Sequence, residues 1–312
     1  QAIANQEKIV IHGDYDADGI TGSTVLITTL REIEKKLGTS GSVDYYLPHR
    51  DKEGYGLNKN TVALLAERGT KLLITVDCGI ACPDEIALAR TLGIDTIVVD
   101  HHQFGETLPD AYLVHPGLPD ETYPFKHLAA VGVAYKFAQA LLEAARGRGL
   151  DIPEGWEKWL LDLVAIATVT DMVPLIGENR VLETYGLRVL NKTKRPGLLA
   201  LFTSAGLVPG ALDTESVGFA IGPRINAAGR MDHATVSFNL LTTESSQEAD
   251  WISERLETMN GDRKESVGAI IKMIDSEIGA SRPDVIITGD ANWSPGVLGL
   301  TANRMLEKYN CP

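Results

Sequence analysis

The first hundred residues alternate between two hydrophobic periods. Short, almost wholly apolar runs read as strands buried on both faces: Lys8–His12 (KIVIH), Val43–Leu47, Lys71–Asp77 (KLLITVD) and Thr96–Asp100 (TIVVD). Between them, about Thr21–Leu37, Asn58–Arg68 and Pro83–Leu92, apolar residues recur at helical spacing. Strands alternating with helices predict an α/β fold with a parallel sheet covered on both faces. Tyr112–His115 is a further short strand candidate.

From about His127 the pattern turns helical: Leu128–Arg146, Trp156–Asp171, Asn179–Asn191 and Gly197–Ala205. A long polar-faced helix is expected from about Ser246 to Ile278, with loosely heptad-like apolar positions from Ile252 to Ile274. Lacking obvious internal partners, it reads as a connector between domains. After Pro283 a strand, Asp284–Thr288, and a helix near Gly296–Tyr309 restart the α/β pattern. Residues 1–244 are therefore expected to form the main domain with a helical extension. The connector would take 245–281, and 282–312 would begin a second α/β domain.

Composition narrows the class. The chain has 312 residues, 44% of them apolar, enough for a large core. No apolar run is long enough for a membrane helix, and the start QAIANQEKIVIHG is not a signal peptide. The missing initiator Met suggests that the natural N-terminus lies upstream. Three cysteines, Cys78, Cys82 and Cys311, argue against a disulfide framework and fit a reducing cytoplasm. Cys78 and Cys82 have no second pair, so a zinc site is not expected. The net charge of −13 is awkward for a nucleic-acid binder. Bound cations can offset carboxylates locally, and net charge does not exclude a local basic groove.

The densest chemistry is His12-Gly-Asp14-Tyr-Asp16-Ala-Asp18-Gly19, directly after the first strand. Ligands of open α/β sheets bind beyond the carboxyl ends of strands. Three close carboxylates repel one another unless cations are present. The plain alternative is an acidic turn with Asp18 as a helix N-cap. Two further strands end alike, at Asp77 and at Asp100-His101-His102, and Asp171 ends the very apolar helix Leu160–Val169. A buried acid at such a place needs a partner, and a metal supplies one. Asp-rich donors with few His suit Mn²⁺ or Mg²⁺ better than structural zinc. Two such ions, roughly 3.5–4 Å apart, would activate water and stabilise a leaving oxygen.

These residues carry a resemblance. HGDYDADG, VDCG, DHH and TVTDMVP resemble the four motifs of the DHH phosphoesterase superfamily, in that family's order. More closely, the chain resembles the RecJ-type exonucleases specific for single-stranded DNA. The supporting stretches are Pro48-His49-Arg50 with Gly54-Tyr55-Gly56-Leu57, Gly222 to Arg230 (GPRINAAGR), Leu256 to Arg263, and Trp293 to Gly299. The resemblance implies two divalent cations, Mn²⁺ first and Mg²⁺ second. It gives His12 and Asp16 to one ion, Asp18, His101 and Asp171 to the other, and Asp77 to both. Asp14 and Asp100 would stand behind the ligands and orient them. His102 would face the substrate phosphate as donor or acid.

The binding residues are read more loosely. Arg224, Asn226 and Arg230 lie in what reads as a glycine-bracketed loop without acids, and Arg offers a bidentate fork for phosphate. His49 and Arg50 could contact the nucleic-acid backbone. Tyr55 could stack on a base or fill a turn. The resemblance further implies 5′ to 3′ release of mononucleotides in DNA repair and recombination, with a single-strand-binding protein or a helicase as partner. It also implies length beyond residue 312: the rest of a DHH-associated domain and an OB-fold domain. Two alternatives stand beside it. One is a phosphodiesterase of the same superfamily acting on oligoribonucleotides, cyclic dinucleotides or polyphosphate. The other is an inactive replication scaffold, against which the intact motif positions argue.

Overall fold

The computed structural model describes residues 1–279 and 284–312. Four expected strands and the short fifth form one parallel sheet: β1 (Ile9–His12), β2 (Val43–Tyr46), β3 (Leu72–Val76), β4 (Asp95–Val99) and β5 (Tyr112–Val114). Their order is β2-β1-β3-β4-β5. Ile9 pairs with Val43 on one side and Leu72 on the other. The chain winds outward from β1 in both directions, so β1 and β3 flank the point where strand order reverses. That crevice is where ligands of such sheets bind.

Side-chain alternation distributes the strands between two layers. Ile9, Ile11, Ile74, Val76 and Val99 face the larger core, with α1 (Ala17–Leu37) against them. Val10, Leu73 and Val98 face the other way. There they meet Val62 and Leu65 of α3 (Lys59–Glu67) and Ile86 and Ala89 of α4 (Pro83–Thr91). The single-turn α2 (Arg50–Glu53) lies before α3. The helix α1 begins four residues earlier than its apolar pattern suggested, because Asp16 caps it. Its buried Thr21, Thr24 and Thr29 hydroxyls donate to carbonyls one turn back, so they cost the core little.

The helical part follows the expected segments closely: α5 (Ala130–Gly147), α6 (Leu161–Thr170, after a 3-10 turn at Trp156–Leu160), α7 (Gly177–Leu190) and α8 (Pro196–Ser204). Every residue from Leu161 to Thr168 is buried, so α6 runs through the middle of the large core. Then come the single-turn α9 (Thr214–Ser216), a π-helical turn Val217–Ile221, α10 (Gly222–Met231) and α11 (Thr235–Thr242). The GPRINAAGR stretch is thus helix, not loop. Pro223 sits in the first turn, and the glycines admit close neighbours: a Cβ on Gly229 would run into the Tyr15 carbonyl oxygen.

The long helix α12 (Ser246–Ile278) forms as expected but is not free-standing. Ala249, Ile252, Leu256 and Met259 belong to the main core. Ile270 and Ile274 pack instead with Val297 and Met305 of α13 (Pro295–Tyr309). Asp284–Thr288 forms no strand; its Ile286 N–H donates to the Pro312 carbonyl at 2.8 Å. A strand needs a paired neighbour, and none flanks this segment among the described residues. Pro283 and the expected boundary at 281–282 lie outside the described residues. No described helix is long and apolar enough to cross a membrane.

Candidate metal centre

Three neighbouring strands stop at polar residues on one edge of the sheet, and α1 starts there. Beyond β1 the turn is tight: a Cβ on Gly13 would collide with the Ser23 hydroxyl, and one on Gly19 would meet the Asp14 backbone nitrogen at 2.5 Å. These close contacts fold the acidic loop back against its own helix. Asp16, not Asp18, is the N-cap: its Oδ1 accepts from the Asp18 and Gly19 amides at 2.9 and 3.2 Å. Asp18 instead reaches across the core. Its two oxygens accept from the Ala130 and Val131 amides at 2.7 and 2.8 Å, capping α5, which has no side-chain cap of its own.

At the end of β3, Asp77 has φ +63°, a left-handed backbone uncommon outside glycine. Its side chain is buried beside both histidines that follow β4. His101 Nε2 lies 3.3 Å from Asp77 Oδ1 and 3.7 Å from both Asp18 Oδ2 and Asp171 Oδ2. His102 Nδ1 donates to Asp100 Oδ1 at 2.9 Å. That same oxygen accepts from the amides of His101 and His102, while Asp100 Oδ2 takes the Ile80 amide. Asp100 is therefore fully engaged in holding the two histidines. Asp171 caps the C-terminus of α6 and brings its carboxylate into the same space.

Among the described residues, possible ligand atoms gather in three groups, each within 4.8 Å: Asp14, Asp16 and Asp77; Asp18, His101 and Asp171; and Asp77, His101 and His102. Asp77 occurs in two of them, so the groups adjoin. Asp14, expected behind the ligands, stands within one. His12 stands outside all three, buried at the end of β1 with its ring stacked on Tyr46.

Burial and mutual repulsion between carboxylates dominate the electrostatics of the cluster. Burial, then the charge of Asp16, raises the Asp14 carboxyl to about 8. Burial and the same neighbour raise Asp171 to about 6. Burial, then the nearest carboxylates, pushes Asp18 and Asp77 well above the ordinary range. Burial lowers His12 and His101 to about 4, which keeps both imidazoles neutral and able to ligate. Burial would raise Asp100 too, but the hydrogen bonds from His102 and Ile80 outweigh it and hold the carboxyl low. His102 is raised by its bond to Asp100. His12 Nε2, Asp14 Oδ1, Asp77 Oδ1 and His101 Nε2 are buried without a hydrogen-bond partner among the described residues. Carboxylate oxygens and neutral imidazoles left in this state fit hard or borderline divalent cations.

The residues read as substrate contacts are placed unevenly. Arg50 stacks over Tyr15, 4.0 Å from the ring centre, and donates to the Gly229 carbonyl at 3.2 Å. Arg230 is half-buried near Arg50 and ties α10 to α13 through the Gly296 carbonyl at 3.0 Å. The Tyr55 hydroxyl donates to the Asp77 carbonyl at 3.0 Å and lies 3.1 Å from His102 Nδ1. His49 caps α2 and packs edge-on against His233. Asn226 does not point outward: its Oδ1 accepts from the Ala17 amide at 2.8 Å, pinning the acidic loop. Arg224 is buried, its guanidinium committed to Glu257 and to the Ala220 carbonyl. Sequence reasoning missed Tyr46 under His12 and the amides that hold Asp18; neither leaves a local signal.

The family model for the DHH family, N-terminal domain, matches residues 8–168. The chain is 42% identical over 317 residues to the single-stranded-DNA-specific exonuclease RecJ of Bacillus subtilis, covering 100% of this chain and 38% of that protein. It superimposes on the crystal structure of an exonuclease RecJ bound to manganese with a TM-score of 0.85 and 32% identity, covering 100% of this chain and 78% of that one. For the Thermus thermophilus RecJ structure in complex with Mn²⁺ the TM-score is 0.83, again at 32% identity and full coverage of this chain, but 43% of that one. The family match takes in every ligand candidate from His12 to His102 and most of α6, ending three residues before Asp171, and it spans more than half of the sequence: the chain belongs to the DHH family.

Proposed function

We propose that this chain is the catalytic portion of a divalent-metal-dependent exonuclease that hydrolyses phosphodiester bonds of single-stranded DNA, 5′ to 3′, releasing mononucleotides. The observation that carries it is the adjoining donor groups that share Asp77, in a chain similar along its full length to RecJ exonucleases. In this reading His12 and Asp16, with Asp14 beside them, hold one ion. Asp18, His101 and Asp171 hold the other, and Asp77 faces both. Mn²⁺ is the first candidate and Mg²⁺ the second. When bound, such ions supply an activated water and neutralise charge on the phosphate under attack.

The chain's own residues orient the substrate. Asp100 fixes His102 through Nδ1 and favours its protonated form, in which the opposite ring nitrogen can donate to a phosphate oxygen. Tyr55 braces the same ring. Arg50, seated on Tyr15, and Arg230 offer guanidinium groups to the DNA backbone, in a chain otherwise acidic. We place this activity in cytoplasmic DNA repair and recombination, with a single-strand-binding protein or a helicase as partner of the whole protein.

The test is a degradation assay with Mn²⁺ on 5′-phosphorylated single-stranded DNA, the duplex, an oligoribonucleotide and cyclic di-AMP. Mononucleotides should appear from the single strand, and Asp77→Asn should slow their release about 100-fold or more. Undiminished release by Asp77→Asn would overturn the two-ion reading. Preference for the ribonucleotide or cyclic substrate would replace the assigned substrate.

A further inference from the structure

His12 is wholly buried at the end of β1, and its ring lies on Tyr46 of the adjacent strand with centroids 5.5 Å apart and planes 20° from parallel. The ring is thus held in place, and only its neutral form can ligate a cation. A neutral imidazole carries its proton on one nitrogen and a lone pair on the other. Only the nitrogen with the lone pair can ligate a cation. Nδ1 lies 3.6 Å from the sulfur of Cys78, within reach of a hydrogen bond to sulfur. Nε2 has no partner among the described residues and is buried.

Cys78 has one proton and two acceptors to choose from. Its sulfur is 3.9 Å from the His12 carbonyl, which can take that proton. The sulfur lone pairs are then free to accept from Nδ1–H. The opposite arrangement would bury an N–H at Nε2 with nothing to receive it. We infer that Cys78 is a positioning residue: its thiol fixes His12 in the Nδ1–H tautomer and so keeps the Nε2 lone pair available to a divalent cation. The inference rests on the metal-centre reading above, because it concerns what His12 offers to an ion.

The experiment is made on the metal-stripped 312-residue chain, labelled with ¹⁵N-histidine. Long-range ¹H–¹⁵N correlation spectra distinguish the two tautomers directly, with His12 assigned by loss of its signals in His12→Gln. Mn²⁺ affinity is measured on the same samples by calorimetry. In the unmodified chain His12 should be in the Nδ1–H form. In Cys78→Ala that form should lose its predominance and Mn²⁺ affinity should fall about 10-fold. Cys78→Ser, whose hydroxyl both donates and accepts, should restore the tautomer and most of the affinity. Should Cys78→Ala fail to fold by circular dichroism, Cys78→Val, closer in volume, takes its place with the same expectations. An unchanged tautomer and affinity in the alanine or valine chain would overturn the inference. A chain with His12 in the Nδ1–H form but no Mn²⁺ uptake would overturn the metal-centre reading instead.

Discussion

Asp100 Oδ1 accepts a hydrogen bond from His102 Nδ1 at 2.9 Å, and it is the tie that gives the histidine both its direction and its basicity. The bond raises His102 above the usual histidine value, so the ring keeps its proton to higher pH than a free imidazole. If the protonated ring assists the reaction, activity is present below its pKa and lost as pH rises through it. Asp100→Asn removes the charge that raises it. We expect the alkaline limb of the kcat/KM profile to move toward lower pH, with a loss of about 10-fold at the optimum. A limb that stays in place would remove His102 from the chemistry.

The metal-free protein carries a set of carboxyls that favour protonation in the folded state. Asp14 is raised to about 8 and Asp171 to about 6, against ordinary values near 4. A raised folded-state pKa gives stability that is fully present below the unfolded value and lost as pH rises through the folded one. The melting temperature of the metal-free chain should therefore fall between about pH 5 and pH 8. Mn²⁺ at one fixed concentration, a hundredfold over its Kd at about pH 8, should add about 2.7 kcal/mol there and less at about pH 5, where protons compete for the carboxylates. EDTA should reverse it. A rise equal at both pH values would mean that the ion does not bind these carboxylates.

Glu183 of α7 poses a separate problem. Both its carboxyl oxygens are buried without partners among the described residues, and burial alone raises it to about 8. Its stability contribution is full below about 4.5 and is lost as pH climbs through about 8. Glu183→Gln is neutral throughout and should escape that loss. Relative to the parent, it should gain about 1–3 kcal/mol between about pH 5 and pH 8. Thermal melts of both proteins at the two pH values decide it; parallel curves would show that Glu183 is not shielded from water.

Two glycines should respond oppositely to alanine. On Gly229 a Cβ runs into the Tyr15 carbonyl oxygen, part of a backbone that cannot step aside. Gly229→Ala should push α10 from the acidic loop, at a cost of about 1–3 kcal/mol and with a reduced rate in the proposed DNA-degradation assay. Gly261, in α12, has open space around it and no left-handed backbone. Gly261→Ala should stabilise by about 0.5–1 kcal/mol without touching activity, because alanine is the better helix former. Urea melts of both variants read out the two signs.

The sheet and its polar strand ends were legible because β1, β3 and β4 are apolar runs that stop abruptly at His12, Asp77 and Asp100. A run of that kind says where it is buried and where it emerges. What lies between residues distant in sequence was not legible. Asn226 and Ala17 are 209 positions apart, and Arg224 and Glu257 are 33 apart, so nothing local announced that the two side chains were already engaged. The glycines of α10 misled for the same reason. Locally they signal a loop, yet they serve contacts with Thr170 and Tyr15 that exist only in the folded chain. Asp18 as a helix cap was half right: it does cap a helix, but α5 rather than its own.

The left-handed backbone at Asp77 makes two independent demands on one position. The side chain must be a short carboxylate to stand among the donors from the neighbouring strands. The main chain must tolerate φ +63°, a region that bulky and β-branched residues avoid and that Asp and Asn enter more readily than most. Glutamate meets neither demand well, glycine meets only the second, and asparagine meets the second while giving up the charge. The genetic code offers one residue that satisfies both. Substitution by asparagine therefore isolates the loss of charge, whereas substitution by alanine mixes that loss with a bent backbone set free to relax.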